Sequence, residues 1–130
     1  MNQSLLDKIA GKSVLVVDDD QRNMFALVSY LESIDLIIHT SESGFKALEI
    51  LERVPIDIIL MDMMMPEMNG YETIRKIKEN LKIKDIPIIA VTAQAMKKDR
   101  EKCLEAGASE YVPKPVQIPE LINKITMLVS

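Results

Sequence analysis

The stretch IDIILMDMMMPEMNG, residues 56–70, runs four apolar side chains together, Ile58 to Met61, before it reaches an acid, Asp62, and then a loop rich in methionine and proline. Apolar residues at successive rather than alternating positions mark a strand covered on both faces. An ionised carboxylate is costly to bury without partners, so the position of Asp62 leaves two readings open. Either it ends a strand in solvent, or it stands at the edge of a buried sheet where a cation or a reactant meets it.

The rest of the chain repeats the pattern. SVLVVD (13–18), DLIIHT (35–40), IPIIAVT (86–92) and EYV (110–112) are also expected as strands, and helical patterns fall between and after them at 20–34, 43–53, 69–80, 95–106 and 117–128. In the first helical pattern Asn23, Ala26, Leu27, Tyr30, Leu31 and Ile34 form one stripe at the spacing of a helix packed on a core. Gly107 is placed to close the fourth helix, and Pro119 suits the first turn of the fifth. Strand and helix alternating five times with short connections predict an α/β fold, a five-stranded parallel sheet with helices on both faces. Residues 1–10 are expected to be a short lead and residues 11–130 a single domain, without tandem repeats or low-complexity segments.

Composition narrows the class. A chain of 130 residues, 48% hydrophobic and 28% charged, has the balance of an ordinary globular domain able to bury a core without staples. A net charge of -4 argues against nucleic acid as a direct partner, because phosphate backbones demand a basic face. The single cysteine, Cys103, excludes an internal disulfide and suits a reducing cytoplasm. No apolar run approaches the ~20 residues that span a bilayer, so a cytoplasmic chain without membrane contact is expected.

In an open α/β sheet, chemistry gathers beyond the carboxyl ends of the strands. The residues expected there are Asp18, Asp19 and Asp20 after the first strand, Asp62 after the third, Thr92 after the fourth, and Lys114, flanked by Pro113 and Pro115, after the fifth. Taken alone, three acids in a row read as a solvated turn with Asp20 capping the next helix. With Asp62 on the same edge, the carboxylates repel one another unless a hard cation sits among them, and Mg²⁺ takes oxygen ligands of this kind.

Four motifs, VLVVDDD, LMDMMMPEMNG, IIAVTA and YVPKP, in this order and over nearly the whole chain from Gly11 to Val129, resemble the receiver domain of two-component response regulators. The resemblance implies a doubly wound, flavodoxin-like sheet of strand order 2-1-3-4-5. It makes Asp62 the phosphoacceptor, a carboxylate nucleophile taking a phosphoryl group from a phosphohistidine on a sensor histidine kinase or histidine phosphotransfer domain. Mg²⁺ would be held by Asp19, Asp62 and the Met64 backbone carbonyl, with Asp18 acting through a water. Lys114 would contact the phosphate, followed by a cis peptide at Pro115. Thr92 would contact the phosphate too, and in doing so let the Tyr111 ring rotate inward. The output would be a changed surface at the fourth helix, fifth strand and fifth helix; its partner, and whether a phosphorylation-linked dimer forms, are left open by the sequence. Such a domain assists its own phosphorylation and dephosphorylation; kinase activity would belong only to a longer hybrid kinase.

Some features are particular to this chain. Met64 and Gln94, two residues past Asp62 and Thr92, stand where the resemblance implies that side chains vary and influence water attacking the phosphate; Met64 has no group to orient one and Gln94 could do so only if its amide reaches, which predicts a slowly hydrolysed aspartyl phosphate. Met24, Phe25 and Val28 lie outside the core stripe of the first helix and are expected to form a docking patch for the phosphodonor protein. His39 and Cys103 lack metal-ligand company, and the methionines at 61, 63, 64, 65 and 68 read as adaptable packing rather than a copper site. Rival classes fit less well. A haloacid dehalogenase-type phosphatase wants an acid where Met64 stands, and a flavin module wants a Ser/Thr/Gly-rich loop where DDDQRN would repel phosphate. A degenerate receiver acting only as a protein-binding module stays as the alternative of another class, although no motif residue is missing. GKSVLVVDDDQRNMFAL and VTAQAMKKDREKC are most similar to receivers of hybrid sensor histidine kinases, which leaves open a free-standing regulator or a domain of a longer kinase.

Overall fold

The computed structural model describes residues 3–93 and 96–129. Its elements are α1 (Gln3–Ile9), β1 (Ser13–Val17), α2 (Gln21–Ser33), β2 (Ile37–Ser41), α3 (Gly44–Arg53), β3 (Ile58–Asp62), α4 (Gly70–Glu79), β4 (Ile88–Thr92), α5 (Lys97–Ala106), β5 (Glu110–Pro113) and α6 (Ile118–Val129). The strands form one parallel sheet in the order β2-β1-β3-β4-β5, the flavodoxin-like order.

Side-chain alternation along each strand explains the unbroken apolar runs. Leu15, Val17, Ile59, Met61, Ile88 and Ala90 point into one core with residues of α3, α4 and α5. Val14, Val16, Ile58, Leu60 and Ile89 point into the other, closed by α1, α2 and α6. A strand buried on both faces has no polar position to offer until it ends, and so Asp62 comes last in β3. Helix boundaries follow local chemistry. Asp20 caps α2, its side chain accepting from Arg22 N and Asn23 N at 3.0 and 3.3 Å. Asn69 and Glu72 form a reciprocal capping box at α4. Gly107 closes α5 with φ 122°, where a Cβ would lie 2.9 Å from Lys78 Cγ.

The structure departs from expectation in three places. Residues 3–9 of the lead are helical, and Ile9 is fully buried in the core shared with α6. Leu27, Tyr30, Leu31 and Ile34 of the α2 stripe pack on the core as expected, but in the first turns Met24 and Val28 take the places given to Asn23 and Ala26, which are exposed. The expected patch of Met24, Phe25 and Val28 therefore reduces to Phe25, 75% exposed. Strands β2 and β4 start at Ile37 and Ile88 rather than at 35 and 86; at β2, Asp35 takes φ 68° in a turn whose carbonyl receives Gly11 N at 2.8 Å. Four of the five clustered methionines, Met61, Met63, Met65 and Met68, are buried packing.

Candidate functional site

The carboxyl ends of β1, β3, β4 and β5 converge on one edge. Asp18 and Asp62 are buried there and Asp19 is exposed, and one carboxylate oxygen from each lies within 4.8 Å of the others. Backbone geometry locks the two buried acids. Asp18 Oδ1 accepts Asp20 N at 2.8 Å, and Asp62 Oδ1 accepts Met64 N at 3.1 Å. Lys114 reaches across with its Nζ 3.5 Å from Asp62 Oδ1 and 3.8 Å from Asp18 Oδ2. Its own amide donates to Thr92 O at 2.8 Å, tying β5 to the end of β4, and the Lys114–Pro115 peptide is cis.

One ammonium does not neutralise three acids. Burial raises the Asp62 carboxyl to about 6, and the Asp18 charge adds to the rise against the Met64 N–H and Lys114, which lower it. A hard divalent cation relieves this excess of negative charge. The donors gathered here are all oxygens, the set that Mg²⁺ prefers, so the residues present fit that ion.

Thr92 is buried at the end of β4, and Tyr111 is buried on β5 in the core beneath α5. Their neighbours in register, Ala90↔Tyr111 and Thr92↔Pro113, put both side chains on the α5 face. The Tyr111 ring is thus already inward. Met64, whose amide donates to Asp62, is 57% exposed. Gln94 lies outside the described residues. A feature missed from sequence is a crevice of about 610 Å³ running from Asp18, Asp62 and Lys114 between α2 and the loop after β5, with Asn23, Ala26 and Val116 in its walls. Asn23 and Ala26, assigned to the core from the sequence, line this crevice instead.

The profile of the response regulator receiver domain matches residues 14–126. The chain belongs to the response regulator receiver family. Among sequence relatives, it is 39% identical to a Vibrio cholerae protein named as a probable cyclic di-GMP phosphodiesterase, over 92% of this chain but 27% of that protein. It is 36% identical to the polar-differentiation response regulator DivK of Brucella ovis, over 88% of this chain and 93% of DivK. Among solved structures it is similar to the magnesium-bound receiver domain of a Pseudomonas aeruginosa sensor histidine kinase, at 34% identity and TM-score 0.84 over 92% of this receiver and 98% of that one. It is also similar to the receiver of a Saccharomyces cerevisiae response regulator solved with its histidine phosphotransfer protein, at 26% identity and TM-score 0.85 over 93% of this chain and 90% of that one. No helix among the described residues of this receiver is long and apolar enough to cross a membrane.

Proposed function

We propose that this receiver takes a phosphoryl group from a phosphohistidine onto Asp62 and returns it by hydrolysis or by transfer onward. The observation that carries this reading is the convergence of Asp18, Asp19, Asp62 and Lys114 on one sheet edge, with Asp62 alone fixed by the Met64 amide at the base of the cleft. A carboxylate oxygen of Asp62 bonds to phosphorus as the P–N bond to imidazole breaks, and the imidazole leaves with the bonding pair. Phosphoryl transfer asks the protein mainly for position and charge neutralisation. Asp19, Asp62 and the Met64 carbonyl would hold Mg²⁺, with Asp18 acting through a water; when bound, the ion neutralises charge on the phosphoryl oxygens. Lys114 exchanges its contact with Asp62 for one with the phosphoryl group, and the Thr92 hydroxyl supplies a hydrogen bond. The inward Tyr111 ring then reports Thr92's new position to α5, β5 and α6, the face proposed to meet the output partner.

The donor is proposed to be a histidine phosphotransfer domain or sensor kinase approaching over Phe25. A yeast relative is seen with such a protein, and Phe25 is the exposed aromatic of α2, the helix that begins directly after Asp18, Asp19 and Asp20. The test is transfer of labelled phosphate from a purified phosphohistidine protein. Phe25→Glu is expected to slow that transfer at least tenfold, the scale of a lost interface anchor, while phosphorylation by acetyl phosphate stays at the wild-type rate. Equal slowing with both donors would remove Phe25 from the docking surface.

A further inference from the structure

The acidic site is built in two halves on different strands, Asp18 and Asp19 after β1, Asp62 and the Met64 loop after β3. The connection from β2 to α3, residues 41–44, carries none of these groups yet touches both halves. On one side the Ser41 carbonyl accepts Asp18 N at 3.0 Å. The turn after it is closed on itself, Ser41 Oγ donating to Ser43 O at 2.7 Å, and Ser43 then caps α3 by accepting Lys46 N at 3.2 Å. On the other side Gly44, the first residue of α3, is pressed against α4: a Cβ there would overlap Thr73 Oγ1 and come within 3.0 Å of Met68 Sδ.

Thr73 cannot readily give way. It is fully buried, and its hydroxyl donates at 2.9 Å to the carbonyl of Asn69, which also accepts Thr73 N at 3.0 Å. Asn69 is the cap of α4, and the next residue, Gly70, abuts the phosphoacceptor strand itself. A Cβ on Gly70 would lie 2.6 Å from Met63 Cα and 2.7 Å from Asp62 O. An unbroken series of close contacts therefore runs from Asp18 through Ser41, Gly44, Thr73 and Gly70 to the peptide of Asp62.

We propose that the β2–α3 connection is the spacer that sets the separation of the two acidic halves, with Gly44 as its positioning residue. The absent side chain at Gly44 lets α3 seat against Thr73, and this seating holds the Met64 loop at the distance from Asp18 and Asp19 that a shared cation requires. The inference rests on the reading of this edge as a Mg²⁺ site.

Calorimetric titration with Mg²⁺ tests it on the wild type, Gly44→Ala, Thr73→Ala and the double variant, each checked by a thermal melt in chelator. Gly44→Ala is expected to weaken Mg²⁺ binding by about tenfold or more, the scale seen when a group supporting metal ligands is lost. Thr73→Ala alone should cost less. In the double variant the overlapping hydroxyl is gone, and affinity should return to near that of Thr73→Ala, a rescue that general loosening would not give. If Gly44→Ala fails to fold, the double variant should fold and bind. Wild-type affinity in Gly44→Ala overturns the inference, and so does a double variant that binds as weakly as Gly44→Ala or remains unfolded. A wild type that binds no Mg²⁺ overturns the metal reading first and this inference with it.

Discussion

Without a cation, Asp62 ionises beside Asp18 in a place that water barely reaches, 4% exposed. Its carboxyl titrates near 6 rather than 3.8, so the folded state holds this proton more tightly than the unfolded chain does. That contribution to stability is fully present below about pH 4 and is lost as pH rises through about 6. Asp62→Asn has no proton to lose. In chelator, its stability relative to wild type should therefore climb between pH 4 and 7, by at most about 3 kcal/mol at ~1.4 kcal/mol per pKa unit. Denaturant melts at several pH values check this, and parallel pH profiles would contradict it. Mg²⁺ at pH 7 should raise the wild-type melting temperature more than the variant's. Met64 acts at the same scale. It offers no hydrogen bond to an incoming water, and Met64→Asn is expected to shorten the life of the phosphorylated protein several-fold, followed by loss of the mass adduct with time. The acids, Thr92 and Lys114 were legible in the sequence because each follows a run of apolar residues that cannot continue into water. That the Tyr111 ring lies inward was not, since a tyrosine, apolar in its ring and polar at its tip, fits either side.

Elements were legible where local chemistry decides them. Asp20 caps α2 through two backbone amides, and Asp20→Ala should cost about 1 kcal/mol in a denaturant melt while Asp20→Ser costs little. Loss of Mg²⁺ affinity as large as that of Asp19→Ala would instead make Asp20 a ligand. The face of α2 was legible only to within a residue. Met24, Phe25, Ala26, Leu27 and Val28 are all apolar, so periodicity alone leaves the phase loose. Burial in the core closed by α1, α2 and α6 settles it, placing Met24 inside and Phe25 outside. The helix α1 gave still less signal. Seven residues are too few to hold a helix by themselves, and α1 stands only because Leu6 and Ile9 pack with α6. Ile9→Ala is accordingly expected to destabilise the whole fold by about 2–4 kcal/mol, measured by denaturant unfolding. A change within a few tenths of a kcal/mol would return residues 3–9 to the status of a lead.

For the molecule as a whole, the doubly covered sheet was the most legible property, because burial on both faces writes itself into consecutive positions of four strands. Its consequence is that polar groups appear where the strands end, and four strands ending together make a site. What sequence could not show is the spacing between those ends, which depends on helix seating at Gly44 and Gly70 and on the crevice left between α2 and the loop after β5. The central claim, that this edge makes Asp62 a phosphoacceptor, is tested most directly by intact mass after incubation with acetyl phosphate and Mg²⁺, wild type against Asp62→Asn. The account predicts one phosphate-sized gain in the wild type, dependent on Mg²⁺, lost at alkaline pH and absent from the variant. A gain that persists in Asp62→Asn would contradict it.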